Sequence, residues 1–143
     1  MVFDVDPGTV ARLGGLCLAL PETVEETAWK GTRWRVRGRT FAHVLPLVGG
    51  APAAYAQAAG IDGPAVVLTF RTTPADGELF ARLGLPYFAA RWGREVGGLV
   101  LGESSDWSEI AELVTDSYCL LAPAKLVARV PRPGPPDPIS APE

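Results

Sequence analysis

Five cations fall between positions 30 and 39: Lys30, Arg33, Arg35, Arg37 and Arg39. Their alternation with Trp34 and Val36 has the two-residue period of a strand, so Arg33 and Arg35 share one face. Arg37-Gly38 suits a two-residue turn. The second strand then returns from Thr40 to Leu47, with Arg37 and Arg39 at the tip of the hairpin and Lys30 at its entrance. A two-stranded ribbon of this kind can enter the major groove of DNA, and guanidinium groups pair with phosphate or guanine. The same residues also suit a solvated hairpin whose arginines pair with Glu22, Glu25, Glu26 or the acidic last helix. The sequence leaves both readings open. With the turn at Arg37-Gly38, Trp34 is expected opposite Phe41, and Trp34, Val36, Phe41 and His43 on one face.

Other side chains with chemical potential are scattered. Trp29, Trp34, Trp92 and Trp107 could stack on bases. Trp34 alternates onto the apolar face and is expected in the core, whereas Trp29 and Trp92 fall in loops beside basic residues. With Tyr87 and the small-residue segment 48–64, Trp29 and Trp92 outline a possible small-molecule cleft. His43, the only histidine, is expected to be structural. A general base needs a nucleophile or water beside it, and none of Ser104, Ser105, Ser108, Ser117 and Ser140 stands in a nucleophile-elbow context. Glu25–Glu26 and the run Glu109, Glu112, Asp116 read as solvated charge in a loop and on a helix. Gly49-Gly50 and Gly97-Gly98 lack the flanking residues of a phosphate loop. Cys17 and Cys119 are far apart and read as reduced core thiols. One histidine and two separated cysteines do not build a zinc site. The expectation is a non-enzymatic protein with no cofactor.

The elements that must position these residues begin with a helix capped by Asp6, with Pro7 at its first position and Val10, Leu13, Leu16, Cys17 and Leu20 at helical spacing. Residues 21–29 read as a loop leading into the hairpin. Residues 48–64 form a linker of small residues with a short helical turn around Ala53–Ala58. Ala65–Phe70 is a strong third strand. Thr73-Pro74 opens a second helix that Gly84 closes. Residues 85–91 are expected to be extended, and the Gly97–Gly102 run to enter another strand. Asp106 caps the third helix, with Glu109 at capping-box spacing and Ile110, Leu113, Val114, Ser117 and Leu121 as its stripe. Pro123 restarts a short helical turn. Strands joined by short turns argue for an α+β fold, an antiparallel sheet with helices packed on one face, in the order α-β-β-β-α-β(β)-α.

The chain has 143 residues, 48% of them hydrophobic, which suits one domain with a real core. That domain is expected over residues 1–130. The proline-rich run 131–143 is expected to be a disordered tail. No apolar stretch approaches the roughly 20 residues of a membrane span, and no signal peptide is legible, so the cytoplasm is the expected location. The net charge is −3, but nine basic residues stand against four acidic ones between Lys30 and Glu95. That asymmetry fits either an anion-binding face or two segments that neutralise each other.

The pieces in this order resemble the MmcQ/YjbR family. They are Leu20-Pro21-Glu22 with Glu25, Trp29-Lys30, the hairpin Trp34–Ala42, the run Val67–Pro74, and the end Glu112–Val127. The resemblance spans residues 7–130. It implies a double-wing fold like that of type III secretion chaperones. DNA is then the nominal partner, through Lys30, Arg33, Arg35, Arg37 and Arg39, with a chaperone-like protein adaptor as the alternative. A small-molecule binder remains a third reading.

Overall fold

A computed structural model describes residues 3–90, 92 and 95–130. The elements are α1 (Pro7–Leu18), β1 (Thr23–Thr27), β2 (Thr32–Val36), β3 (Arg39–Leu47), α2 (Ala53–Ala59), β4 (Ala65–Arg71), α3 (Pro74–Leu83), β5 (Tyr87–Ala89), β6 (Val96–Leu101), α4 (Trp107–Leu121) and α5 (Ala124–Val127). The α+β class therefore stands. The strands form one antiparallel sheet in the order β1-β2-β3-β4-β6-β5. The tail expected from residue 131 lies outside the described residues, as do Arg91 and Arg94 of the basic segment.

The helix starts follow their local chemistry. Asp6 accepts from the Thr9 amide, Thr73 from that of Asp76, and Asp106 from those of Ser108 and Glu109, each satisfying donors that have no partner inside the helix. Glu109 does not complete a capping box; its carboxylate accepts a hydrogen bond from the Tyr87 hydroxyl instead.

Three expectations need correction. Residues 23–27 are not loop but the edge strand β1, which pairs with β2 from Thr23↔Val36 to Thr27↔Thr32. Its sequence, Thr-Val-Glu-Glu-Thr, has only one aliphatic residue, because an edge strand with one lightly covered face needs little apolar surface. The helices do not all lie on one face. α1, α3, α4 and α5 cover the face carrying Trp34, Val44, Leu68, Phe70 and Leu99. Among the described residues the other face carries only α2, packed on Leu45, Leu47, Val67 and Phe88 through Ala56 and Ala59.

The third correction concerns the hairpin. Arg37 and Gly38 both have positive φ (51° and 79°), as the expected two-residue turn requires. The register runs Val36↔Arg39 and Arg35↔Thr40, then slips to Trp34↔Ala42 and Arg33↔His43. Phe41 is the extra residue of a β-bulge. Its carbonyl accepts from the buried Ser117 hydroxyl at 2.6 Å, and its ring meets Tyr118 edge-on at 5.3 Å. A one-residue slip reverses the facing of everything beyond it. His43 therefore leaves the face of Trp34 and joins that of Arg33.

Candidate functional site

The slip assembles a polar row on the sheet face opposite α1 and α4. Cross-strand pairing sets Glu26, Arg33, His43, Thr69 and Gly98 side by side across β1, β2, β3, β4 and β6. Arg71 follows two residues beyond Thr69 on the same face of β4, because side chains on a strand alternate. A Cβ on Gly98 would run into the Phe88 ring, so only glycine lets that ring lie flat against the sheet.

α2 covers the apolar end of this face and stops short of the polar row. Tyr55, from its first turn, meets His43 edge-on at 6.2 Å and packs against Trp92 at 4.7 Å with a 52° tilt. Arg33, His43, Tyr55, Thr69, Arg71 and Trp92 then enclose a cleft of about 210 Å³. Typical small-molecule pockets are about 300–1,000 Å³, so this one suits a ligand of a few heavy atoms or a single ring.

The charges here are unevenly satisfied. Glu26 accepts from Arg33 Nε at 2.5 Å and from Arg35 Nη1 at 3.2 Å, so one carboxylate serves two guanidinium groups. Those contacts hold the Glu26 carboxyl below its usual range, the hydrogen bond from Arg33 most strongly. Arg35 also donates from Nη2 to the Gly38 carbonyl. Arg71 is the least satisfied. Its backbone amide is fixed by Ser117 Oγ at 2.8 Å, but its Nε is buried with no hydrogen-bond partner among the described residues. Its Nη2 lies 3.6 Å from Glu95 Oε1, an ion-pair distance beyond hydrogen-bond reach. Among the described residues its guanidinium makes no hydrogen bond, although the side chain is 34% exposed.

His43 is half-buried. Burial pushes its pKa down and the Arg33 charge adds to that, against the opposing effect of the Lys30 carbonyl. Nε2 lies 2.6 Å from that carbonyl, which can only accept, so the ring proton sits on Nε2 and Nδ1 remains an acceptor in the neutral ring. The Tyr55 hydroxyl is held protonated by burial.

The five hairpin cations scatter into different environments. Arg33 and Arg35 face the cleft side and share Glu26. Arg37, at the tip, gives Nε and Nη2 to the two oxygens of Glu22 at 2.6 and 3.2 Å. Lys30 lies over the Trp29 ring at 5.6 Å, and Arg39 is exposed. The neutralising carboxylates come from the segment just before the hairpin. Glu25 and Glu26, adjacent in sequence, are divided by the alternation of β1: Glu26 serves the arginines, while Glu25 accepts from the Trp34 indole on the other face at 2.8 Å.

Of the three expected cleft aromatics, Trp92 alone lines this cleft. Trp29 is 86% exposed beside Lys30, and Tyr87 stacks on Phe80 at 5.6 Å on the helix-covered face. Sequence reasoning missed Tyr55, Thr69 and Arg71. Thr69 and Arg71 alternate with Leu68 and Phe70, so the strand pattern alone places them away from the core. Tyr55 is the one large residue among alanines in its segment. No helix among the described residues is long and apolar enough to cross a membrane.

Comparison with solved structures supports the architecture. A crystal structure of Deinococcus radiodurans protein DR2400, with a DUF419 domain, superposes with a TM-score of 0.56 at 18% identity, covering 78% of this chain and 77% of that one. A crystal structure of a protein from Pseudomonas syringae gives a TM-score of 0.56 at 16% identity, covering 81% and 98%. At such identities the likeness is one of fold. No curated protein matches the sequence. The YjbR family model matches residues 18–120, from the end of α1 through nearly all of α4. With that span covering well over half of the sequence, the chain belongs to the YjbR family.

Proposed function

We propose that this chain is a non-enzymatic binding protein that takes a small anion in the cleft on the lightly covered sheet face. The carrying observation is Arg71, a partly exposed guanidinium on the cleft wall with no hydrogen-bond acceptor among the described residues. An anion supplies a hydrogen-bond acceptor to a guanidinium that has only a long ion pair among the described residues.

The test is a tryptophan-fluorescence titration with acetate, benzoate and inorganic phosphate at constant ionic strength. A saturable change with at least one anion, lost in Arg71→Gln and altered in Trp92→Phe, supports the reading. Flat titrations with all three would remove it.

DNA binding through the hairpin is the second reading, favoured by the exposure of Lys30 and Arg39. These are the two hairpin cations for which no carboxylate lies within ion-pair distance among the described residues. Counterion release gives a slope of log K against log salt of about −0.9 per neutralised phosphate. Two free cations therefore predict a slope of about −1.8, whereas all five would give about −4.5. Anisotropy of a labelled duplex measures it. A slope near the larger value would mean that the ion pairs to Glu22 and Glu26 open on DNA. No binding even at low salt would set the hairpin reading aside.

A further inference from the structure

The cleft also carries information about what kind of anion it would hold. Resting on the reading of the cleft as a ligand site, we propose that its ligand is a small aromatic monocarboxylate, with its carboxylate on Arg71 and its ring against Trp92.

Charge argues for a single negative group. Three arginines, Arg33, Arg35 and Arg71, meet two carboxylates, Glu26 and Glu95, within ion-pair distance among the described residues. Along this sheet face, among the described residues, one positive charge is therefore left over, on the pair Arg33 and Arg35 that shares Glu26 at the side of the cleft. A monoanion neutralises it, whereas a phosphate dianion would leave an excess of negative charge beside Glu26. The unsatisfied group is a planar guanidinium, whose paired N–H donors match the two oxygens of a carboxylate. Arg71 is also anchored from behind, since Ser117 binds its backbone amide and the Phe41 carbonyl together.

Shape argues for one ring. Trp92 is 46% exposed, and the part of its indole that is covered leans on Tyr55. Tyr55 in turn stands edge-on to His43, giving a continuous aromatic wall beside the guanidinium. Platforms for single-stranded nucleic acid spread their aromatic side chains so that successive bases each find a partner. Here the two side chains touch each other and offer one stacking place. The volume of about 210 Å³ agrees, being too small for a drug-sized ligand. Thr69 and His43, which also line the cleft, add polar side chains to its wall.

The experiment is a ¹H–¹⁵N NMR titration of the full chain with benzoate, acetate, benzamide and inorganic phosphate, at fixed pH and ionic strength. Benzoate is expected to shift the amides of residues 33, 43, 69 and 71 and the Trp92 indole saturably. Acetate, which lacks the ring, and benzamide, which lacks the charge, should each bind at least tenfold more weakly. Arg71→Gln should weaken benzoate at least tenfold with the rest of the spectrum unchanged. Arg71→Lys, which keeps the charge and loses the planar fork, provides a second variant should the first be poorly folded, and it should also weaken binding. Trp92→Leu should erase the preference for benzoate over acetate. If acetate or phosphate moves the same resonances as tightly as benzoate, the cleft is an anion site but the aromatic assignment is wrong. If none of the four moves them, the ligand-site reading fails with it.

Discussion

At the hairpin tip, Arg37 gives two N–H groups to the two oxygens of Glu22, while on the sheet face Arg71 presents a guanidinium that no described residue hydrogen-bonds. The hairpin looks like the more strongly basic region when charges are counted along the chain. In space it is the better neutralised, because the edge strand and the turn before it carry Glu22 and Glu26 alongside β2 and β3. Arg71 comes from a strand whose neighbours on the same face are Thr69, His43 and Val96, and so receives one distant carboxylate, Glu95. Local charge density therefore misleads where a sheet edge supplies the counter-charge. An arginine isolated in sequence can be the one left available.

The largest effect expected is on the bulge that creates the difference. Ser117 is the hinge between the regions: its hydroxyl donates to Phe41 O and accepts from Arg71 N. Ser117→Ala leaves both backbone groups without that partner, each at a cost of about 1–3 kcal/mol. The variant should lose at least ~2 kcal/mol in urea denaturation. Arg37→Gln, at an exposed ion pair, should lower the urea midpoint far less. If the Ser117 variant unfolds at the parental midpoint, the bulge is not held by that hydroxyl.

The next effect separates the two regions by ligand. Arg71→Gln should weaken benzoate at least tenfold, which is about 1.4 kcal/mol, and leave duplex affinity unchanged. Arg39→Gln should do the reverse, lowering the salt slope for DNA by about 0.9 with no change for benzoate. Loss of both ligands from either variant would merge the two surfaces into one and undo the comparison.

Much of this architecture was legible from local signals. Asp6-Pro7, Thr73-Pro74 and Asp106 mark three helix starts whose caps are present as expected, and Arg37-Gly38 forms its turn. The site was less legible, and the reason lies in two tertiary interactions. The bulge depends on Ser117, which is 76 residues from Phe41, and nothing in the hairpin's own sequence calls for an extra residue at position 41. Without it, period-two reasoning puts His43 under the helices. The cover of the cleft comes from α2, whose alanine-rich sequence reads as a linker until Ala56 and Ala59 are seen packed on Leu45 and Val67. β1 was missed because its acidic residues are polar partners for the next strand, Glu26 for Arg33 and Arg35 and Glu25 for the Trp34 indole, rather than an apolar alternation.

Titration offers the finest separation between the regions. Burial depresses the His43 pKa below the ordinary 6.5, and hydrogen bonds from Arg37 and Arg33 depress Glu22 and Glu26 below 4.5. In all three cases the folded state holds the proton more weakly than the unfolded one. Stability is therefore complete above the unfolded pKa and declines as pH falls toward the folded value. The cleft should begin to lose stability below about pH 6.5, and the hairpin only below about pH 4.5. Urea midpoints measured from pH 8 to pH 3 should show two successive declines. His43→Gln should flatten the upper one, and Glu22→Gln with Glu26→Gln the lower. Benzoate should oppose the upper decline, because its carboxylate on Arg71 adds a negative charge to the cleft that His43 lines, and a nearby opposite charge favours the imidazolium. A single decline near pH 4, unchanged by benzoate, would mean that His43 does not sense the cleft.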